Sequence, residues 1–227
     1  MNEELIVDAR PKSNISEDIR TIRTKLKYIC KNHKSKVLLI TSSVPREGKS
    51  FISSNLALTF AGVDETVLLI DSDMRLGRIH NIFHISNNKG FSDLLISDTV
   101  KDAVKYIQES EFSNLYVIPR GVVPPNPSEL LNSEILPEFI EYMKKKFDHI
   151  IFDGVPINGL PDSLVLAGLV DEVILVTAAG DTSIDDLNAA KKSLENINAK
   201  IAGVIVNKVK SSHADRYGSY YGESYYE

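Results

Sequence analysis

An α/β fold built on a doubly wound, mainly parallel sheet is what this chain predicts, and three observations predict it. Six short runs, at 36–41, 65–70, 115–119, 149–152, 172–177 and 200–206, are almost wholly apolar and end in polar loops. Strands buried on both faces read this way, without the alternation of a half-exposed sheet. Helix-length stretches at 48–61, 134–146, 162–169 and 184–196 lie between those runs. Strand and helix in alternation imply parallel pairing, with ligands received beyond the carboxyl ends of the strands. No internal repeat or linker divides the chain, so one domain is expected over 16–206, with an extended arm at 1–15 and a tail at 207–227.

Bulk properties narrow the function classes. A net charge of −5 argues against nucleic-acid binding driven by counterion release. Cys30 is the sole cysteine, which excludes an internal disulfide or a cysteine metal cluster. The longest apolar runs are strand-sized, far short of a membrane span, and the first twenty residues are too polar for a signal peptide. A cytoplasmic chain is the expectation.

Taken in order, the elements justify themselves. A helix is expected from Ser16 to about Asn32, with Ser16 as N-cap and Glu17 and Asp18 in the first turn. Ile19, Ile22, Leu26 and Ile29 fall within an arc of about 80°, an apolar stripe. Glu17, Arg20 and Arg23 form the charged face beside it. That face reads either as a solvated surface with a weak ion pair or as a docking surface for another subunit.

The first strand runs into Thr41-Ser42-Ser43-Val44-Pro45-Arg46-Glu47-Gly48-Lys49-Ser50, followed by a helix rich in Leu and Ala. Strand, loop and helix in that order form a P-loop, whose backbone N–H groups and helix N-terminus wrap phosphates. Lys49 is placed to neutralise β/γ-phosphate charge and Ser50 to ligate Mg²⁺. Ser43 occupies the place of the usual first glycine. The second strand ends in Asp71-Ser72-Asp73-Met74-Arg75, two carboxylates beside the same phosphates. One can hold Mg²⁺ or its water shell, and the other can accept a proton from an attacking hydroxyl. Which does which is open. Run 115–119 is followed by Pro124-Pro125-Asn126-Pro127-Ser128-Glu129-Leu130-Leu131, a proline-rich turn opening a helix. Run 149–152 ends in Asp153, a third strand-end acid, then Gly154-Val155-Pro156. The tail holds five of the nine tyrosines: Tyr217, Tyr220, Tyr221, Tyr225 and Tyr226. Its Gly and Ser content and lack of aliphatics leave it no core to build.

These motifs together resemble those of the bacterial tyrosine kinases of capsule and exopolysaccharide synthesis, in their cytoplasmic single-domain form. The family's P-loop (Walker A) resembles Thr41-Ser42-x-x-Pro45-x-Glu47-Gly48-Lys49-Ser50 and likewise lacks the first glycine. Its second motif (Walker A′) is similar to Leu68–Ile70 followed by Asp71, Asp73 and Arg75. Its third (Walker B) is similar to Ile150–Phe152, Asp153 and Pro156, although Gly154 and Val155 replace a threonine and a proline. Glu17-x-x-Arg20-x-x-Arg23 resembles the family's subunit-docking motif, which marks 16–32 as an oligomerisation helix. The proline-rich turn and the tyrosine cluster match as well.

The resemblance implies a P-loop NTPase fold and ATP-dependent phosphorylation of the tail tyrosines in trans. It implies Mg²⁺ held by Ser50, Asp71 and Asp153, and ATP cradled by Ser43, Pro45, Arg46, Glu47, Gly48, Lys49 and Ser50. Lys49, Asp71, Asp73, Arg75 and Asp153 would be catalytic, with Asp73 the candidate base and Asp71 able to exchange roles with it. Asn207 would contact adenine. A ring-shaped homo-oligomer (an octamer in the family), a membrane-anchored activator of the polysaccharide co-polymerase type and a cognate tyrosine phosphatase would be the partners, with recruitment to the inner face of the membrane.

The rival from another class is a partitioning or septum-positioning switch ATPase of the same fold. Such proteins carry lysine where Val44 stands and end in an amphipathic helix rather than in tyrosines. A third reading makes the tail an adhesive segment on an ATP-binding scaffold. His80 and His84 have the spacing of a zinc pair, but Asn81 stands where the metalloprotease pattern needs Glu, so a structural or surface role is expected. Asn126-Pro127-Ser128 is blocked as a glycosylation site by its proline.

Overall fold

Residues 3–29 and 36–210 are described by a computed structural model of the chain. Cys30, the end of the expected first helix, and all five tail tyrosines lie outside them. Within them the elements follow in the order α1 (Ile6–Ala9), α2 (Asn14–Ile29), β1 (Lys36–Ser42), α3 (Lys49–Ala61), β2 (Val67–Asp71), α4 (Ile79–Ile82) and α5 (Phe91–Leu95). A 3₁₀ segment (Val100–Tyr106), β3 (Gln108–Glu109), β4 (Leu115–Ile118), α6 (Pro127–Leu130) and α7 (Ile135–Met143) come next. The chain continues with β5 (His149–Pro156), α8 (Asp162–Ala167), β6 (Glu172–Ala178), α9 (Ile184–Asn196) and β7 (Ile201–Asn207).

The strands form one seven-stranded sheet in the order β3-β4-β2-β5-β1-β6-β7. Every pairing is parallel except that of the two-residue β3 with β4. Alternate residues of each strand feed opposite cores. Leu39, Ile70, Phe152 and Leu175 pack with Phe91, Phe139, Leu166 and Leu194 beneath α5, α7, α8 and α9. Leu38, Leu69, Ile151 and Val176 pack with Ile19, Leu56, Phe60 and Ile79 beneath α2, α3 and α4. Two covered faces explain why β1, β2, β4, β5 and β6 are largely apolar, whereas β7 at the sheet edge leaves Val204 and Val206 exposed. From Ile52 to Ala61 every residue of α3 is buried, so this helix lacks the polar side of an ordinary surface helix.

Two expectations at the N-terminus are corrected. The arm is not extended: residues Ile6–Ala9 form a helical turn, with Leu5 1% exposed. Asn55 of α3 holds it, accepting from Val7 N at 3.0 Å and donating to Glu4 O at 2.7 Å. Ser16 is not the N-cap, because α2 begins at Asn14 and Ser13 Oγ accepts from Ser16 N at 3.2 Å. Ser16 itself is buried and its hydroxyl donates to Arg10 O at 2.8 Å, tying the two helices together. The third acid does not close its strand as expected, since β5 runs on past Asp153 to Pro156.

Candidate active site

The phosphate loop leaves the sheet at β1, between β5 and β6, and returns as α3. Gly48 caps α3 with φ of +97°, and a Cβ there would stand 2.1 Å from Asn207 Nδ2, so only glycine fits. Arg46 also has positive φ, +68°. Pro45 and Arg46 are exposed, whereas Ser43 is fully buried with its hydroxyl unpartnered among the described residues.

Glu47 is in the loop as expected, but its carboxylate is 1% exposed and turned to protein partners. Oε2 accepts from Val44 N at 2.8 Å, and Oε1 accepts from Ala178 N at 3.3 Å and from the Thr182 hydroxyl. It closes the loop on itself and fastens it to the end of β6. Asn207 Nδ2 donates to Glu47 O at 2.9 Å, a second brace from β7.

The acids arrive from two neighbouring strands. Asp71, which ends β2, and Asp153, inside β5, are register partners about 5 Å apart as adjacent strands are. Both are buried, and one oxygen of each, Oδ1, lacks a partner among the described residues. Asp71 Oδ2 accepts from Ile79 N at 3.0 Å. Burial, with the Asp153 charge next in weight, pushes the Asp71 carboxyl well above the usual carboxylate range. Burial likewise pushes Asp153 up to about 6, while the facing Ser50 and Ser53 hydroxyls and the Lys49 ammonium pull it down. Lys49, Ser50, Asp71 and Asp153 are thus brought together.

Two carboxylates crowded in a dry site, each with an idle oxygen, are the donor set a divalent cation requires. No preformed cluster of three or more His, Cys, Asp or Glu occurs among the described residues. Two acids and a serine hydroxyl fit a Mg²⁺ that keeps waters and arrives with nucleotide phosphates.

Asp73 is half-buried and shapes its own turn, Oδ1 accepting from Leu76 N at 2.8 Å and Arg75 N at 3.2 Å. Arg75 points elsewhere: Nη2 donates to Ser128 Oγ at 3.0 Å and to both oxygens of Asp162 at 3.3 Å. Sequence reasoning missed Asp162, Ser128 and Gly77. A Cβ on Gly77 would lie 2.2 Å from Asp71 Oδ1, so this glycine makes room for the acid. A glycine four residues past the Asp71-x-Asp73 pair was the available signal. Asp162 carried none, being 87 positions from Arg75.

Gly154, where the resembled motif has threonine, also has a steric reason. A Cβ would meet Ser163 Oγ at 2.6 Å and Leu39 Cδ1 at 2.8 Å. Of the docking candidates, Glu17 pairs with Arg20, which also donates to Pro11 O at 2.7 Å. Arg23 donates to Thr59 O at 2.6 Å, near the end of α3. No helix among the described residues is long and apolar enough to cross a membrane.

Comparison with known proteins places the chain. A family model described as an AAA domain matches residues 35–206. The tyrosine-protein kinase YwqD of Bacillus subtilis is 36% identical over 222 residues, 98% of this chain and 92% of that protein. CapB of Staphylococcus aureus, whose name assigns it provisionally to the tyrosine-protein kinases, is 37% identical over 96% of this chain and 95% of its own. The solved kinase domain of the Escherichia coli tyrosine kinase ETK matches with a TM-score of 0.86 at 33% identity, covering 91% of this chain and 80% of that one. The septum site-determining protein MinD of Pyrococcus horikoshii, solved with Mg-ADP, reaches 0.63 at 23% identity over 76% of this chain and 70% of its own, a likeness of fold alone.

Proposed function

Since the chain belongs to the bacterial tyrosine kinases and is a protein-tyrosine kinase of P-loop fold, we propose that its own C-terminal tyrosines are its first acceptors. The observation that carries the site is the convergence of Lys49 and Ser50 with the paired acids Asp71 and Asp153 at the mouth of the phosphate loop. In this reading the loop amides and Lys49 hold the β- and γ-phosphates of ATP. Ser50, Asp71 and Asp153 would hold Mg²⁺, which would supply charge neutralisation at the phosphates.

A tail phenol attacks the γ-phosphorus. The new O–P bond forms as the bond to the bridging oxygen of ADP breaks, and the phenolic proton passes to a carboxylate. Asp73 is better suited to receive it than Asp71, because Asp73 is half-exposed whereas Asp71 is sealed. Asn207 contacts the adenine, exchanging or sharing the bond it makes to Glu47 O. Little covalent work falls to the protein, so positioning and charge carry the rate.

The acceptors Tyr217, Tyr220, Tyr221, Tyr225 and Tyr226 are presented in trans, one subunit of a homo-oligomeric ring to the next, with Glu17, Arg20 and Arg23 on the docking face. A membrane-anchored activator recruits and switches the kinase, and a tyrosine phosphatase resets it. The relatives' tyrosine-kinase names, CapB among them, support a role in capsular or exopolysaccharide synthesis. The switch-ATPase rival has only the distant MinD likeness behind it.

The test is incubation of purified protein with Mg·ATP, with and without an activator segment, followed by mass spectrometry of the C-terminal peptide. Phosphate on Tyr217–Tyr226 is expected in the wild type and absent in Lys49→Met, whose fold is retained. Phosphotyrosine persisting in Lys49→Met made without another kinase would overturn the assignment. ATP hydrolysis with an unmodified tail would favour the switch ATPase.

A further inference from the structure

The turn that carries Asp73 is fastened from outside its own motif. Asp73 ties the turn internally through the N–H groups of Arg75 and Leu76. From outside, Arg120 Nη1 donates to Arg75 O at 3.3 Å and to Met74 O at 3.5 Å, and the Arg75 side chain supplies the second anchor. Asp162, the first residue of α8, is 1% exposed and takes Arg75 Nη2 on both oxygens at 3.3 Å. Ser128 Oγ donates to Asp162 Oδ1 at 2.6 Å and accepts from the same Arg75 nitrogen at 3.0 Å. A carboxylate this buried needs charge and hydrogen-bond partners to offset its lost hydration, and Arg75 and Ser128 supply both.

The neighbouring residue grips the other acid. Ser163 Oγ donates at 2.7 Å to Val155 O, two residues past Asp153, where Thr41 Oγ1 also donates at 2.6 Å. The first turn of α8 therefore holds both acid-bearing segments, each two residues beyond its aspartate.

We propose that Asp162 is a positioning residue for phosphoryl transfer, acting through Arg75 to set the Asp73 carboxylate against the acceptor hydroxyl, with Ser128 bringing α6 into the same contact. The inference rests on the kinase reading above and adds a residue that works at second hand. Displacing a reacting group by about 1 Å costs on the order of 100-fold in rate, so a loose Arg75 is felt in turnover rather than in nucleotide binding.

Steady-state kinetics on the full chain test this, with the tail as one acceptor and a synthetic Glu/Tyr copolymer as another. Asp162→Asn should lower kcat about 10- to 100-fold with the KM for ATP and the affinity for ADP unchanged. Asp162→Glu should recover part of the loss, and Ser128→Ala should move kcat the same way by less. The Arg75→Ala/Asp162→Asn double variant should be no slower than Arg75→Ala, because one path joins them. Losses that multiply in the double variant, or an ATP KM that rises as kcat falls, would overturn the proposal. Should Asp162→Asn fail to fold, an unchanged kcat in Ser128→Ala overturns it instead. Wild-type activity on the copolymer but not on the tail would sink the tail reading while leaving the Asp162 measurement intact. Activity on neither would sink both.

Discussion

Asp153 carries the clearest pH signature of any single residue. Its ordinary value is 3.8, and burial raises it to about 6 in the folded chain. A raised carboxyl means that the folded chain keeps a proton the unfolded chain releases. The contribution is therefore complete below about pH 4 and is lost as pH climbs through about 6. At pH 7.5 the nucleotide-free protein thus carries a destabilised acid, which the proposed cation would relieve. Asp153→Asn should raise the melting temperature of the nucleotide-free protein at pH 7.5 by roughly 2–6 °C and remove the extra stabilisation that Mg²⁺ adds to bound ADP. Differential scanning fluorimetry reads both effects. A melting temperature unchanged or lowered, with the Mg²⁺ response intact, would show that Asp153 is not at the metal. His149 works with the opposite sign: burial lowers it to about 4, so its contribution is present above 6.5 and lost as pH falls toward 4. It stacks on Phe60 with ring centroids 3.8 Å apart, and the substitution at Asp153 should leave this acid limb in place.

Among the elements, the turn from Asp71 to Arg78 concentrates the most function in the least chain. Gly77 donates to Asp73 O at 2.7 Å and leaves room for the Asp71 carboxylate. Gly77→Ala should therefore cost about 1–3 kcal/mol in urea unfolding through overpacking, and weaken Mg·ADP binding by at least about tenfold. Binding that survives while stability falls would separate Asp71 from the metal. The turn also shows what was legible in the sequence. All six major strands could be read as apolar runs, five of them because both faces are buried and β7 because its exposed Val204 and Val206 keep the run unbroken. Asp71 could be read as the acid that ends β2, whereas the core continues past Asp153, with Val155 and Ile157 still buried. The two-residue β3 and the four-residue α4 and α6 are too short to show a period. Ser13 and Ser16 offered the same side chain three positions apart, and only tertiary contacts decided which one caps. Glu47 carried the right position but the wrong partner set, since a carboxylate beside a phosphate loop reads as a ligand until Ala178 and Thr182 are seen to claim it.

For the molecule as a whole, the proposed docking face of α2 is already in use within the chain. The Glu17–Arg20 pair and the Arg23 bond to Thr59 O would have to be shared or exchanged on assembly. An exposed ion pair contributes only about 0–1 kcal/mol, so exchanging it presents a small barrier. Phosphorylating five tyrosines adds on the order of −8 to −10 charges per subunit to a chain already at −5. Light scattering should record a large oligomer before incubation with Mg·ATP and a much smaller species afterwards. An unchanged mass, with phosphorylation verified, would refute the coupling. One hydrogen bond described above sets the mechanics of that cycle. Asn207 ends β7, and its amide holds the Glu47 carbonyl of the phosphate loop at 2.9 Å. The chain leaves the sheet just beyond that point on its way to the tyrosines. If a neighbour draws the tail in, the tension meets the Lys208 pair with Asp181, at 3.0 Å, then Asn207 and the loop. The tail is then a tether with the nucleotide's clasp at its root, so the act of offering a tyrosine would hasten the release of the donor's own spent ADP.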